Sequence, residues 1–93
     1  MAKINQQKKA INRIIKMECY LDEILLAIKT NPMSVKQNPK LKKKLYHLEK
    51  YYTNGKWLSD YQKDEKGEFP QELKRGVLSQ DTLYDLFQTI EHL

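Results

Sequence analysis

From Lys3 to Lys29 neither proline nor glycine interrupts the chain, and apolar residues fall at Ile4, Ile11, Ile14, Leu21, Leu25 and Ile28. Steps of seven, three, seven, four and three residues stay on one face of a 3.6-residue turn, so the spacing predicts a helix over about residues 3–29. Ile15, Met17 and Ile24 widen that stripe, as suits a helix packed against more than one neighbour. At 1.5 Å per residue it extends about 39 Å. Glu18 breaks the seam, seven residues after Ile11 and seven before Leu25. A buried, unpaired carboxylate costs several kcal/mol or changes its protonation. The pattern therefore demands a partner for Glu18 from the C-terminal half: a Lys, a Tyr hydroxyl or backbone N–H groups.

Thr30-Asn31-Pro32 ends this helix, because the residue before a proline is pushed out of helical geometry. Asn38-Pro39 starts the next, with Asn as cap and Pro at the first helical position, where it has no N–H to leave unbonded. The stripe Leu41, Leu45, Leu48 and Tyr52 predicts a helix over 39–53, closed by Asn54-Gly55. Lys40, Lys42, Lys43, Lys44 and Lys50 cover its other faces. A connection of roughly eight residues favours antiparallel neighbours.

The stretch from Trp57 to Leu86 is the most specific part of the chain. Trp57, Leu58 and Tyr61 lie one turn apart, which predicts a short helix over 56–63 that pins an aromatic corner onto the first two helices. A polar turn follows at 63–68. Asp60, Asp64, Glu65 and Glu68 lack the alternating oxygen ligands and terminal bidentate Glu of a calcium loop, so no metal is expected. Phe69-Pro70 reads as a buried anchor and a rigid bend, Gln71 to Lys74 as a single helical turn, and Gly76 as a reversal. Ser79 is placed to cap a last helix over 79–92, with Asp81 in its first turn and Leu78 and Leu83 as a hydrophobic staple. Leu83, Leu86, Phe87 and Ile90 face inward, with Tyr84 at the flank. No segment alternates like a strand, so the fold class is all-α. The expected architecture is one small helical bundle spanning 1–93, two long antiparallel helices with a C-terminal loop and short helices packed across them.

Composition refines this picture. Forty per cent hydrophobic residues in 93 make a thin core, to which self-association would add burial. Without a membrane-length apolar run or the apolar core of a secretory signal, and with Cys19 as the only cysteine, a cytoplasmic location is expected. The net charge of +5 is unevenly spread. Residues 1–56 hold 13 Lys and Arg against 4 Asp and Glu, whereas residues 57–93 hold 4 against 8. A basic half facing an acidic half inside one fold needs no external polyanion. Fifteen of the 17 cations are Lys, which argues against base-specific reading, since that leans on bidentate Arg.

Tyr51-Tyr52, Trp57-Leu58, Asp60-Tyr61, Asp64-Glu65, Gly67, Pro70, the run Leu73-Lys74-Arg75-Gly76-Val77-Leu78-Ser79, Asp81 and Leu83-Tyr84-Asp85-Leu86 resemble the signature of a small bacterial family. That family is known as a domain of unknown function, number forty-two ninety-eight. The resemblance covers about residues 11–90, including Met17-Glu18 and Tyr20 to Glu23. It implies a compact helical cytoplasmic protein of bacteria, often of low-GC Gram-positive type, and brings no activity, cofactor or catalytic residue. It marks Glu18, Trp57, Asp60, Tyr61, Arg75, Gly76 and Asp81 as positions to test. Arg75 would order the loop by pairing with Asp60, Asp64 or Glu18.

Three functions compete. The first is a non-enzymatic protein-interaction or scaffold module, a homodimer or a binder of another protein. It would use an exposed apolar stripe or a surface around Trp57, Tyr61 and Phe69, with Glu18, Asp60 and Arg75 as candidate binding residues. The alternative is weak, sequence-nonspecific nucleic-acid binding through Lys3, Lys8, Lys9, Arg13, Lys16, Lys40, Lys42, Lys43 and Lys44. The aromatics do not visibly interleave with these lysines. An enzyme is not expected. His47 and His92 lack partners at a catalytic spacing, Lys43 and His47 read as an exposed pair, Cys19 reads as a packed side chain, and only Glu18 with Asp60 offers a carboxylate pair. No cofactor is implied.

Overall fold

A computed structural model describes the backbone from Ala2 to Leu93 and the side-chain environments from Gln7 onward, so Lys3 and Ile4 fall outside the described side chains. The chain forms α1 (Ala2–Thr30), α2 (Ser34–Gln37), α3 (Pro39–Thr53), α4 (Lys56–Glu65), a 3-10 turn (Gly76–Leu78) and α5 (Thr82–Glu91), with no strand among the described residues. The all-α class expected from periodicity is the one observed.

The local signals act as the chemistry dictates. Asn38 Oδ1 accepts from the backbone N–H groups of Lys40 (2.9 Å) and Leu41 (3.4 Å), capping α3 ahead of Pro39. The connection between α1 and α3 contains α2, a single turn held by Val35, which is buried, and by a bond from the Ser34 hydroxyl to the Asn31 carbonyl (2.6 Å). α4 runs two residues past the expected 63. It ends in a left-handed Gly67 (φ 74°), with Gly67 N donating to Asp64 O (2.9 Å) and Glu68 N to Lys63 O (3.1 Å). Those two bonds satisfy the helix's last carbonyls.

Two expectations fail beyond it. Gln71 to Lys74 form no helix; Leu73 N–H closes a turn onto Pro70 O (3.2 Å), and the Pro70 and Gln71 carbonyls accept from the Arg75 guanidinium instead. Nor does Ser79 cap the last helix. The 3-10 turn claims that residue, whose N–H donates to Gly76 O (3.1 Å), so α5 starts only at Thr82, with Asp81 at the cap position and making no side-chain cap bond. The staple geometry therefore does not arise, although Leu78 and Leu83 are both buried.

The core also turns α1 away from the expected seam. Its buried line is Ala10, Ile14, Met17, Leu21, Ile24 and Ala27, while Ile15 and Leu25 stand 48% and 44% exposed. Ile14, Met17, Leu21 and Ile24 are thus buried as the pattern implies, and the buried line shifts to their side of the helix, taking in two alanines not read as core. α3 contributes Leu48 and Tyr51, α5 contributes Leu83, Leu86 and Ile90, and the turn contributes Val77 and Leu78. Tyr51 was not in the expected stripe, and Leu58, expected inside, is exposed. The 3-10 turn packs against α1, α4 and α5 together, which makes it the junction of the fold. Trp57 secures it from α4, its indole N–H donating to the Val77 carbonyl (2.8 Å). The ring itself lies among Tyr52 (5.3 Å between centroids) and Tyr61 (5.2 Å, stacked), and Tyr52 continues the cluster to Phe87.

Candidate functional site

Both candidate acids are buried and held by different partners. Asp60, wholly inaccessible on α4, receives Arg13 of α1 through Nε (2.9 Å) and Nη2 (2.6 Å) and the Tyr51 hydroxyl of α3 (2.7 Å). A two-pronged guanidinium matches a carboxylate's geometry, so one side chain registers three helices. Burial and the bond to Asp60 hold the Tyr51 phenol well above its usual range; the guanidinium's own bond to Asp60, opposed by burial, raises Arg13. Tyr51 thus retains its proton in the folded chain at a pH where the unfolded chain, near pKa ~10, has lost it. Its contribution to stability is complete below about pH 10 and declines as pH rises further toward the folded pKa. Denaturant unfolding at stepped alkaline pH is expected to show a fall in wild-type stability that Tyr51→Phe shares only in part.

Glu18 finds the partner that the sequence demanded. Its two oxygens accept the N–H groups of Gly76 (2.9 Å) and Val77 (3.0 Å), the first residues of the 3-10 turn. Gly76 has no positive φ. Its role is closeness, since a Cβ there would stand 2.6 Å from Glu18 Oε1. Arg75, alongside, chooses Asp64 among the three acids open to it, with Nε 3.0 Å from Oδ1 in an ion pair that lacks hydrogen-bond alignment. Its two terminal nitrogens brace Pro70 O (2.8 Å) and Gln71 O (3.3 Å). Phe69, only 6% exposed, anchors the same loop from within.

This bracing creates a wall, and the wall creates a groove. Pro70, Glu72, Leu73 and Lys74 face Ile15, Glu18, Cys19 and Asp22 of α1 across a cleft of about 410 Å³. Of the residues expected at a binding surface, only Glu18 lines it. Trp57 and Tyr61 are half-buried in the aromatic cluster, the Tyr61 hydroxyl accepting from Gln80 Nε2 (2.7 Å). Phe69 is in the core, so an aromatic gripping surface built on it does not exist. The groove itself escaped sequence reading because its far wall is a loop whose shape depends on Arg75.

Lys8, Lys9, Lys16, Lys42 and Lys43 are exposed, Lys44 is half-buried and pairs with Glu23 (2.7 Å), and Arg13 is committed to Asp60. His47 is not an exposed partner of Lys43; it stacks on Tyr20 with ring centroids 5.9 Å apart. An aromatic pair therefore does sit among the lysines. Among the described residues, no cluster of three or more metal-ligating side chains is present and no helix is long and apolar enough to cross a membrane.

Fold and site together define a small all-α domain whose short helices are fixed to its long one by buried charge. The family model described as Domain of unknown function (DUF4298) matches residues 14–93, and the chain belongs to that family. Neither among curated proteins nor among solved structures does any match the chain.

Proposed function

We propose that the chain is a cytoplasmic protein-interaction module that pairs with a second copy of itself through the outer face of α1. The observation that carries this reading is the placement of Ile15, Cys19 and Leu26 opposite the buried stripe, with Leu25 beside them and Leu26 63% exposed. Steps of four and seven align three of these residues along one helix line, so they form an apolar strip with Asp22 and Glu23 set into it between Cys19 and Leu26. Two copies laid antiparallel, Ile15 against Leu26, bring Lys16 of each within a turn of Asp22 and Glu23 of the other. The charges thus complement where the apolar residues meet. The Leu26 side chain of the second copy then reaches the mouth of the groove beside Ile15. Sedimentation equilibrium is expected to show a dimer that Leu26→Lys and Ile15→Lys dissociate without loss of helicity, as both sites are exposed. A strict monomer at high concentration would overturn the reading.

A second reading, weak nucleic-acid binding, is favoured by the lysines of α1 and α3 with which, among the described residues, no carboxylate pairs. It proceeds through Lys8, Lys9, Lys16, Lys42 and Lys43, without Arg13 and without Lys44, which Glu23 holds. Binding to any strand should then fall steeply with salt. Absence of binding at low ionic strength ends it.

A further inference from the structure

Where α1 meets the start of α3, a second cavity of about 220 Å³ is lined by Tyr20, Lys40, Lys43, Lys44 and His47. The spacing of 40, 43, 44 and 47 puts these α3 residues on one helix face, and Tyr20 closes the cavity from α1. Lys16, one turn before Tyr20, holds its ammonium 5.8 Å from the Tyr20 ring centroid. Four cations therefore converge here, and one acid answers them: Glu23, bound to Lys44 at 2.7 Å. Among the described residues, no carboxylate pairs with Lys16, Lys40 or Lys43.

The local field makes this concentration of charge costly for the chain alone. The first turn of α3 contains no acidic residue, so only the neutral Asn38 cap, and no charge, faces the positive end of its dipole, and Lys40, Lys42, Lys43 and Lys44 all follow within its first six residues. Cations at that end are disfavoured. The floor, by contrast, is ordered: Tyr20 and His47 stack, and Tyr46 meets His47 edge-on at 5.8 Å. A concave, aromatic-floored site with three unmatched ammonium groups lacks one thing, an anion.

We infer that this cavity between α1 and α3 binds a phosphoryl group, contacted by Lys16, Lys40 and Lys43 over the Tyr20–His47 pair. Each ammonium offers three rotatable donors and acts as a point charge, which suits a tetrahedral oxyanion more than the planar fork that Arg prefers. The cavity has the volume of about seven waters at ~30 Å³ each, which leaves room for a diphosphate. The phosphoryl group belongs either to a free nucleotide or to the end of a nucleic-acid strand. Lys40 and Lys43, which line the cavity, serve the inference whether or not α1 pairs with a second copy, whereas Lys16 is available to it only in the unpaired chain; with the nucleic-acid reading it shares Lys16 and Lys43.

Pyrophosphate titrated into the full chain at low ionic strength, followed by heteronuclear NMR, tests it. Shifts are expected to centre on Tyr20, Lys40, Lys43 and His47. Lys40→Gln combined with Lys43→Gln is expected to weaken binding roughly tenfold or more, whereas Glu23→Gln, which removes the one rim acid, is expected to tighten it. Circular dichroism confirms that each variant is folded. ADP, and short strands with and without a terminal phosphate, then identify the source; preference for ADP or for the end-phosphorylated strand supports the pocket in either case. No pyrophosphate binding, shifts spread evenly over all lysines, or a double variant that binds like wild type overturns it. A strand that binds but is not displaced by pyrophosphate also overturns the pocket, while leaving nonspecific strand binding intact.

Discussion

Asp60→Ala is expected to destabilise the chain by about 3–5 kcal/mol, measured by urea unfolding monitored through Trp57 fluorescence. The substitution removes the carboxylate that receives both Arg13 and Tyr51, and leaves a half-buried guanidinium and a buried hydroxyl without their acceptor. A chain of this length has a total stability of about 5–14 kcal/mol at ~0.05–0.15 kcal/mol per residue, so the loss is a large fraction of the whole. The cost comes from breaking the network, not from lacking it. Replacing all three members by apolar residues of similar volume, as in Arg13→Met with Tyr51→Phe and Asp60→Leu, should recover most of the stability. If Asp60→Ala unfolds within about 1 kcal/mol of wild type, Asp60 does not hold the helices together and the account of the fold is wrong.

The contrast between Asp60 and Glu18 shows how far such ties are legible in a sequence. Glu18 interrupts an apolar seam, so the need for a partner is visible and even its kind, backbone N–H from the C-terminal half, is among the options that chemistry allows. Asp60 lies in a short polar helix, where an acid looks solvated. Its burial depends on Arg13 and Tyr51 meeting from two other helices, and Tyr51 itself is hidden by the more regular stripe through Leu48 and Tyr52. The same limitation hides the edge of the α1 core: Ala10 and Ala27 are buried although small, and hydrophobic periodicity gives weight to size. Capping of α3 by Asn38 was readable because the cap chemistry is local. Ser79 looked equally local, yet the 3-10 turn that Glu18 and Trp57 fix upstream takes precedence.

The two candidate surfaces were legible to different degrees for the same reason. The lysines of α3 are plain in the chain, but the acidic offset expected from residues 57–93 does not reach them. Glu23 of α1 supplies the single ion pair, and the aromatics that floor the cavity come from Tyr20 and His47 on separate helices. The pattern assigns Ile15 and Leu25 inward, and the shift of the buried line toward Ala10 and Ala27 leaves them at the surface, as part of the strip proposed for pairing.

The contact between Glu18 and the 3-10 turn gives the second large effect. Gly76→Ala is expected to cost about 2–4 kcal/mol, because the new Cβ would lie 2.6 Å from Oε1 and 3.3 Å from Oε2, and the carboxylate must withdraw from two charge-assisted bonds of about 1.5–3 kcal/mol each. Glu18→Ala alone should cost a similar amount, since it strands the Gly76 and Val77 N–H groups. The decisive measurement is the double variant. Gly76 has no positive φ, so with the carboxylate gone an alanine meets no conformational penalty and limits the unfolded chain, a gain of about 0.4–1 kcal/mol. Gly76→Ala should therefore change sign, destabilising in the wild-type background and neutral or stabilising beside Glu18→Ala, a coupling of about 2 kcal/mol or more. Additive losses would mean that Gly76 serves the backbone alone, and that the carboxylate of α1 does not set the position of the turn on which α1, α4 and α5 converge.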